Sequence, residues 1–259
     1  MRRIEVLKTS ASPMADDGRT TRVLLGSGGI ATEDRRELYR NLVTEHFSGC
    51  NEVVFVPFAS HDHSAYTASM QEFLGGEGPT LLGLHESSAP AQTISEADAI
   101  YIGGGNSFLL VKELQERGLI SPIRELVLSG SPYLGVSAGA NVACPTMMTT
   151  NDMPIVYPHS FDSLSIIPFQ INPHYHPGKI LFRDGEDLKE HFGESRARRI
   201  SEFHRLHDIP VLGLWEGSYV KWDGSKACLK GRATAFKSSG ESLEMKDGTI
   251  FDGILDPID

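Results

Sequence analysis

The residues best suited by type and spacing to do chemistry lie in the run Tyr133–Pro145, "YLGVSAGANVACP". At its centre, Gly135-Val136-Ser137-Ala138-Gly139 sets a serine between two glycines after an apolar stretch. Small neighbours permit a sharp strand-to-helix turn that lifts a hydroxyl off a sheet, where it can act as a nucleophile. The N–H of Ala138 would then face the oxyanion formed when that hydroxyl adds to a carbonyl. An ordinary turn uses the same residues, so a nucleophile also needs a base in reach. Of ten histidines, His174 in "QINPHYHPG" follows the apolar run "SIIPFQI" and so stands at a strand end. His176 is two residues on. His-Xaa-His is a weak metal pattern, but no nearby Cys/His/Asp cluster completes it, and no metal is expected. His159, His204 and His207 read as surface residues.

The base in turn needs an orienting carboxylate. Asp152 in "TTNDMPIV" and Glu216 in "GLWEGSY" are the two candidates, each a polar residue inside an apolar setting that favours pairing. Asp152 reads equally as a turn or helix cap, and Glu216 as a hairpin corner, so the sequence leaves both open. Two glycine loops complete the inventory. Gly103-Gly104-Gly105-Asn106 opens a helix and lacks both GxGxxG and GK[ST], which disfavours a nucleotide site. Such a loop can aim bare N–H groups at an anion or oxyanion. Gly26-Ser27-Gly28-Gly29 can do likewise, or can be a plain strand-end turn.

These residues need elements to hold them. "TRVLLGSGG", "EVVFVPFAS", "PTLLGLHE", "ADAIYIGGG" and "PYLGVS" read as short strands ending in small residues or Pro. Between them, "TEDRRELYRNLVTEHF" reads as a helix with Thr32 as N-cap and Leu38, Leu42 and Val43 on its apolar face. "SAYTASMQEFLGG" is a second helix. "NSFLLVKELQERGLISPIRELVLSG" is helical with a break near Gly118–Pro122. Alternating strands and helices imply a parallel sheet covered on both faces, with ligands at the carboxyl ends of the strands. The small-residue loops therefore gather on one edge. Beyond residue 150, "LSIIPFQINPH", "PVLGLWEGSYVKW", "KACLKGRATAF" and "GTIFDGI" suggest further strands, some antiparallel, and "GESRARRISEFHRLH" one basic helix.

The chain has 259 residues, 40% hydrophobic and 22% charged, enough for a sizeable core in one domain. Residues 1–20 read as a polar leader and 21–259 as a single α/β domain. With 34 acidic and 24 basic residues and a formal net charge of -10, nucleic acid and anionic membrane are poor partners. Three scattered cysteines, Cys50, Cys144 and Cys228, suit a reducing compartment. The start lacks a secretory apolar region, and no membrane-length apolar run occurs. The expectation is a soluble cytoplasmic protein, monomer or homodimer.

Several segments together resemble the dipeptidase E, or alpha-aspartyl dipeptidase, family: "YIGGGNSFLLVKELQERGL", "GVSAGANVACPTMMTTNDMPIV", "FDSLSIIPFQINPH", "GESRARRI" and "GLWEGSYV". The likeness runs in order from about Val23 to about Trp222. It implies a three-layer α/β sandwich with a mostly parallel central sheet, of the class I glutamine amidotransferase type. The implied activity is a serine exopeptidase cleaving dipeptides with amino-terminal aspartate, without cofactor. Carried onto matching positions, Ser137 is the nucleophile and His174 the base. The third member is Asp152 or Glu216, and Gly104 or Gly105 with Ala138 forms the oxyanion hole. For substrate, Arg196 would pair with the aspartate, Glu194 with the free amine, and Asn106 would line the site. A cyanophycinase-like peptidase or a non-catalytic amidotransferase-like binding module are the alternatives. The chain departs from the family in its leader, in "GSGG" after the first strand, and in the longer link "YHPGKILFRDGEDLKEHFGESR".

Overall fold

Short apolar runs rich in β-branched residues build the centre of the molecule, and the computed structural model describes residues 20–76 and 78–258. The leader expected over residues 1–20 lies, but for its last residue, outside the described residues. In chain order the first half is β1 (Val23–Gly26), α1 (Glu33–His46), β2 (Glu52–Val56), α2 (His63–Leu74), β3 (Thr80–Gly83), α3 (Pro90–Ser95), β4 (Ile100–Ile102), α4 (Ser107–Glu116), α5 (Ile120–Leu128), β5 (Tyr133–Val136) and α6 (Ala138–Val142). Then come β6 (Gln170–Tyr175), β7 (Leu181–Asp184), β8 (Asp187–Glu190), α7 (Arg196–Phe203), β9 (Val211–Trp215), β10 (Tyr219–Trp222), β11 (Lys226–Lys230), β12 (Ala233–Phe236), β13 (Ser242–Met245) and β14 (Ile250–Asp252).

The main sheet runs β14-β11-β10-β1-β5-β4-β2-β3. Its five strands from the first half are parallel, and β10, β11 and β14 extend it antiparallel beside β1. The register pairs Gly26 with Val136, and Ile102 with Gly135. The loops after β1, β4 and β5 therefore leave the sheet at one level, which places Ser27, Gly103 and Ser137 on the same edge. A second sheet, β13-β12-β9-β6, has β6 and β9 parallel and the rest antiparallel.

Burial divides the core into two sides of the main sheet. Tyr39, Leu42 and Val43 of α1, its C-cap Phe47 and Leu74 of α2 pack with Leu24, Phe55, Tyr101 and Leu134 on one face. On the other, Leu110, Val111 and Leu114 of α4, Ile123 and Val127 of α5 and Val142 of α6 meet Val23, Leu25, Val54 and Ile100. Leu212, Leu214 and Ala233 of the second sheet join that same side. The three layers expected from the sequence are present, with one outer layer part helix and part sheet.

Local signals account for the ends of the helices. Thr32 accepts a hydrogen bond from Arg35 N and caps α1, as its residue type favours. Gly118, at φ +66°, sits in the break between α4 and α5. Two expectations shift. The buried face of α1 carries Tyr39 with Leu42 and Val43, whereas Leu38 is exposed, because the stripe is set one residue further on. The basic helix is shorter than its pattern, since α7 begins after its cap Ser195 and stops at Phe203. The long link after His174 folds into the antiparallel hairpin β7–β8, exposed along both strands.

Candidate active site

Ser137 occupies the turn between β5 and α6 at φ 55° and ψ -110°, a conformation side chains rarely adopt. Its N–H donates to Gly26 O at 2.9 Å, which ties the turn to the end of β1. The turn is closed by contact as well: a Cβ on Gly139 would lie 2.1 Å from Ile102 O, so only glycine lets α6 sit this close to β4.

His174 reaches the serine from the second sheet. The pairing of β6 with β9 shifts register between Asn172 and Tyr175, and within that bulge His174 takes φ 54°. Bulges re-aim side chains, and here the imidazole Nε2 lies 2.8 Å from Ser137 Oγ. Its Nδ1 lies 2.6 Å from Glu216 Oε2, in the turn between β9 and β10. An Nδ1–H donated to that carboxylate leaves Nε2 with a lone pair toward the hydroxyl. The side chains of His174 and Glu216 are 40% and 45% exposed, so a substrate can reach them from solvent.

The alternative carboxylate, Asp152, stands elsewhere. Its Oδ2 accepts from Ser107 N at 2.7 Å, Ser107 Oγ at 2.8 Å and Thr150 Oγ1 at 3.1 Å. A carboxylate on the first N–H of α4 suits a helix N-terminus. The cap reading of Asp152 describes this contact, and the carboxylate on His174 is Glu216. Asn106 works beside it: Oδ1 accepts from Leu109 N at 3.0 Å, and Nδ2 donates to Met153 O at 2.9 Å. Both ends of that amide are thus engaged within the protein rather than held open for a ligand.

The glycine loop before Asn106 lies against the serine. A Cβ on Gly104 would fall 3.1 Å from Ser137 Cβ, and Gly105 adopts φ 137°. Ala138 is the first residue of α6, whose N–H has no intrahelical acceptor. The Tyr66 hydroxyl packs on this loop, beside Gly103 and Gly104. Burial pushes its pKa up to about 12, so it stays protonated at neutral pH.

Arg196 opens α7 half-buried, with no carboxylate within 4.0 Å among the described residues. Burial lowers its pKa, as does Arg199, while the field of Asp152 opposes that shift. Glu194 is exposed and bound by Arg199, which lowers its pKa. Its carboxylate is therefore already paired on the surface. Among the described residues no group of three or more His, Cys, Asp or Glu side chains is placed to hold a metal.

Two contributors escape a reading by motif. Asn151 donates to Pro173 O at 2.7 Å and accepts from Asn172 Nδ2 at 2.8 Å, bracing the bulge from below. Ser27, fully buried, meets the backbone of His174. The available signals were faint: Asn151 adjoins the candidate Asp152, and Ser27 is the polar member of a strand-end glycine loop.

A serine, an imidazole and a carboxylate in hydrogen-bonded line on a three-layer α/β fold is an arrangement suited to a serine-type hydrolase. Residues 23–230 match Peptidase family S51. The chain is 43% identical over 228 residues to the probable alpha-aspartyl dipeptidase of Drosophila melanogaster, covering 86% of this chain and 92% of that protein. It is 42% identical over 206 residues to peptidase E of Streptomyces coelicolor, covering 79% and 82%. A crystal structure of a peptidase from an acI-B1 Actinobacterium superposes with a TM-score of 0.61 at 17% identity, covering 91% of this chain and 98% of the other. A putative peptidase E of Listeria monocytogenes superposes with a TM-score of 0.57 at 21% identity, covering 82% and 98%. These two likenesses speak to the fold, which is of the class I glutamine amidotransferase type. The chain belongs to peptidase family S51.

Proposed function

We propose that the protein is a serine dipeptidase hydrolysing Asp-Xaa dipeptides, with Ser137 as nucleophile, His174 as general base and Glu216 as the carboxylate that orients it. The observation that carries this reading is the unbroken line Ser137 Oγ, His174 Nε2, His174 Nδ1, Glu216 Oε2, with contacts of 2.8 and 2.6 Å. The substrate class comes from the relatives, whose names specify peptidase E and alpha-aspartyl dipeptidase.

Ser137 Oγ attacks the peptide carbonyl as its proton passes to His174 Nε2. Glu216 holds the imidazole in the tautomer that can accept that proton and stabilises the resulting imidazolium. The N–H of Ala138 and an N–H of the Gly104–Gly105 loop receive the oxyanion. His174 then gives its proton to the leaving amine, and water, activated by the same imidazole, releases aspartate from Ser137. Arg196 is the candidate reader of the substrate aspartate. Among the described residues its guanidinium has no carboxylate within 4.0 Å, and guanidinium pairs bidentately with carboxylate. Asp152 holds α4 and the loop before it, a supporting role distinct from the chemistry.

The test is hydrolysis of a panel of Asp-Xaa, Glu-Xaa, Asn-Xaa and Xaa-Asp dipeptides, with Ser137→Ala as control. Asp-Xaa is expected to be cleaved best, with turnover abolished in a folded Ser137→Ala protein. Comparable rates across the panel would remove the aspartyl assignment, and wild-type turnover in Ser137→Ala would remove the nucleophile.

A further inference from the structure

From sequence the loop Gly26-Ser27-Gly28-Gly29 reads as an anion cradle or a plain turn, and in the structure it lies behind the His174–Glu216 pair. Its side chain and backbone are committed inward. Ser27 is fully buried, and its hydroxyl accepts from His174 N–H at 2.7 Å and donates to Leu214 O at 3.0 Å. One oxygen thus joins the end of β1 to β6 and β9, the strands that carry His174 and lead into Glu216. Gly28 O accepts from Gly217 N at 2.8 Å, which fixes the turn bearing Glu216 to the same loop. The two glycines make room for these partners. A Cβ on Gly28 would lie 2.9 Å from His174 Cε1, and one on Gly29 would lie 2.6 Å from Glu216 Oε1. Their φ values are +99° and +90°.

His174 needs such support. Among the described residues four non-glycine side chains have positive φ, and Ser137 and His174 are two of them. A residue in that region persists only where its surroundings over-determine it. The bulge removes His174 from regular pairing with β9, and Pro173 before it has no N–H to donate. The His174 N–H would be an orphan without the Ser27 hydroxyl, and an unmet buried donor favours any backbone shift that satisfies it.

We propose that Ser27 is a positioning residue for the base: its hydroxyl holds the His174 backbone in the positive-φ conformation that aims Nε2 at Ser137. The proposal rests on the reading of His174 as base and is independent of which dipeptide is cleaved.

A fluorophosphonate probe separates the two. In its reaction the Ser137 Oγ–P bond forms, the P–F bond breaks, fluoride departs and the serine proton passes to His174. The labelling rate thus reports activation of Ser137 without any aspartate recognition. Ser27→Ala, with its folding checked by circular dichroism and thermal unfolding, is expected to slow labelling by about 10- to 100-fold, the scale of an ångström of misplacement at a reacting group. For Asp-Leu, kcat should fall by a similar factor with KM within about twofold, since the hydroxyl touches no substrate. Ser27→Thr, which keeps the hydroxyl, is expected to recover most of the rate. Should Ser27→Ala fail to fold, Ser27→Cys carries the test, because a thiol is a weak acceptor of similar size, and slowed labelling is again expected. Labelling at the wild-type rate in the folded alanine or cysteine variant overturns the proposal. So does a loss that appears in KM rather than kcat, or one that threonine leaves unrecovered. If wild-type protein is labelled yet leaves Asp-Leu intact, the substrate reading fails and the Ser27 comparison still stands.

Discussion

Asp152 and Glu216 are both carboxylates in loops beside one edge of the main sheet, and they are held in different ways. Asp152 accepts three hydrogen bonds from Ser107 and Thr150, all from its own side of the site. Glu216 receives the imidazole of His174 and leaves much of its surface to solvent. The first carboxylate is met by a backbone N–H and two hydroxyls, the second by an imidazole whose other nitrogen faces Ser137. What distinguishes the two is which donors each carboxylate has already accepted.

Of the two carboxylates, Glu216 should produce the larger effect when replaced. Glu216→Gln is expected to lower kcat for Asp-Leu by about 10³- to 10⁴-fold, the scale seen when the orienting carboxylate of a serine triad becomes an amide. Steady-state kinetics on the folded variant check this. Arg196→Met should come next, lowering kcat/KM for Asp-Leu by about 100-fold, in the range of a lost charge-assisted bidentate pair. The same variant should change hydrolysis of a neutral dipeptide by much less. An equal loss on both substrates would mean that Arg196 does not read the aspartate. Asp152→Asn should lower kcat less than tenfold and cost about 1–3 kcal/mol of stability in denaturant unfolding, because a helix-end carboxylate loses charge-assisted bonds.

The smallest effect concerns His46, and it separates lost activity from lost fold. Its Nε2 meets Tyr133 O at 2.9 Å at the end of α1, away from both carboxylates. Burial lowers its pKa from 6.5 to about 4, so below pH 6.5 an unfolded chain takes a proton that the folded one refuses. The stability from a neutral His46 is complete above pH 6.5 and is lost progressively as pH falls through 4, by at most about 3 kcal/mol. His46→Gln should flatten stability against pH over that interval while leaving the kcat ratio of the two carboxylate variants unchanged.

Much of the frame was legible. Alternating short apolar strands and helices predicted the parallel sheet, and strand-end small residues predicted the edge that carries the site. Thr32 and Gly118 marked helix ends because caps and left-handed residues have strong local preferences. Ser137 and His174 were found as residue types at strand ends, yet their meeting depends on a bulge between Asn172 and Tyr175 that no periodicity shows. The choice between Asp152 and Glu216 was illegible for the same reason, since each reads equally as an ordinary turn residue and only tertiary packing decides which donors it meets. Ser27 was hidden by its surroundings: between glycines it reads as a turn, and its long-range partner His174 lies 147 residues away. The β7–β8 hairpin shows the limit from another side, because an exposed insertion carries little burial pattern to read.

In the proposed triad Glu216, and not Asp152, holds the imidazole of His174. Proton NMR of the free enzyme observes this contact through the strongly deshielded Nδ1–H expected of an imidazole bound to a carboxylate. This resonance is expected to be present in wild type, to persist in Asp152→Asn and to disappear in Glu216→Gln. Its persistence in Glu216→Gln together with loss in Asp152→Asn would place Asp152, not Glu216, on the imidazole.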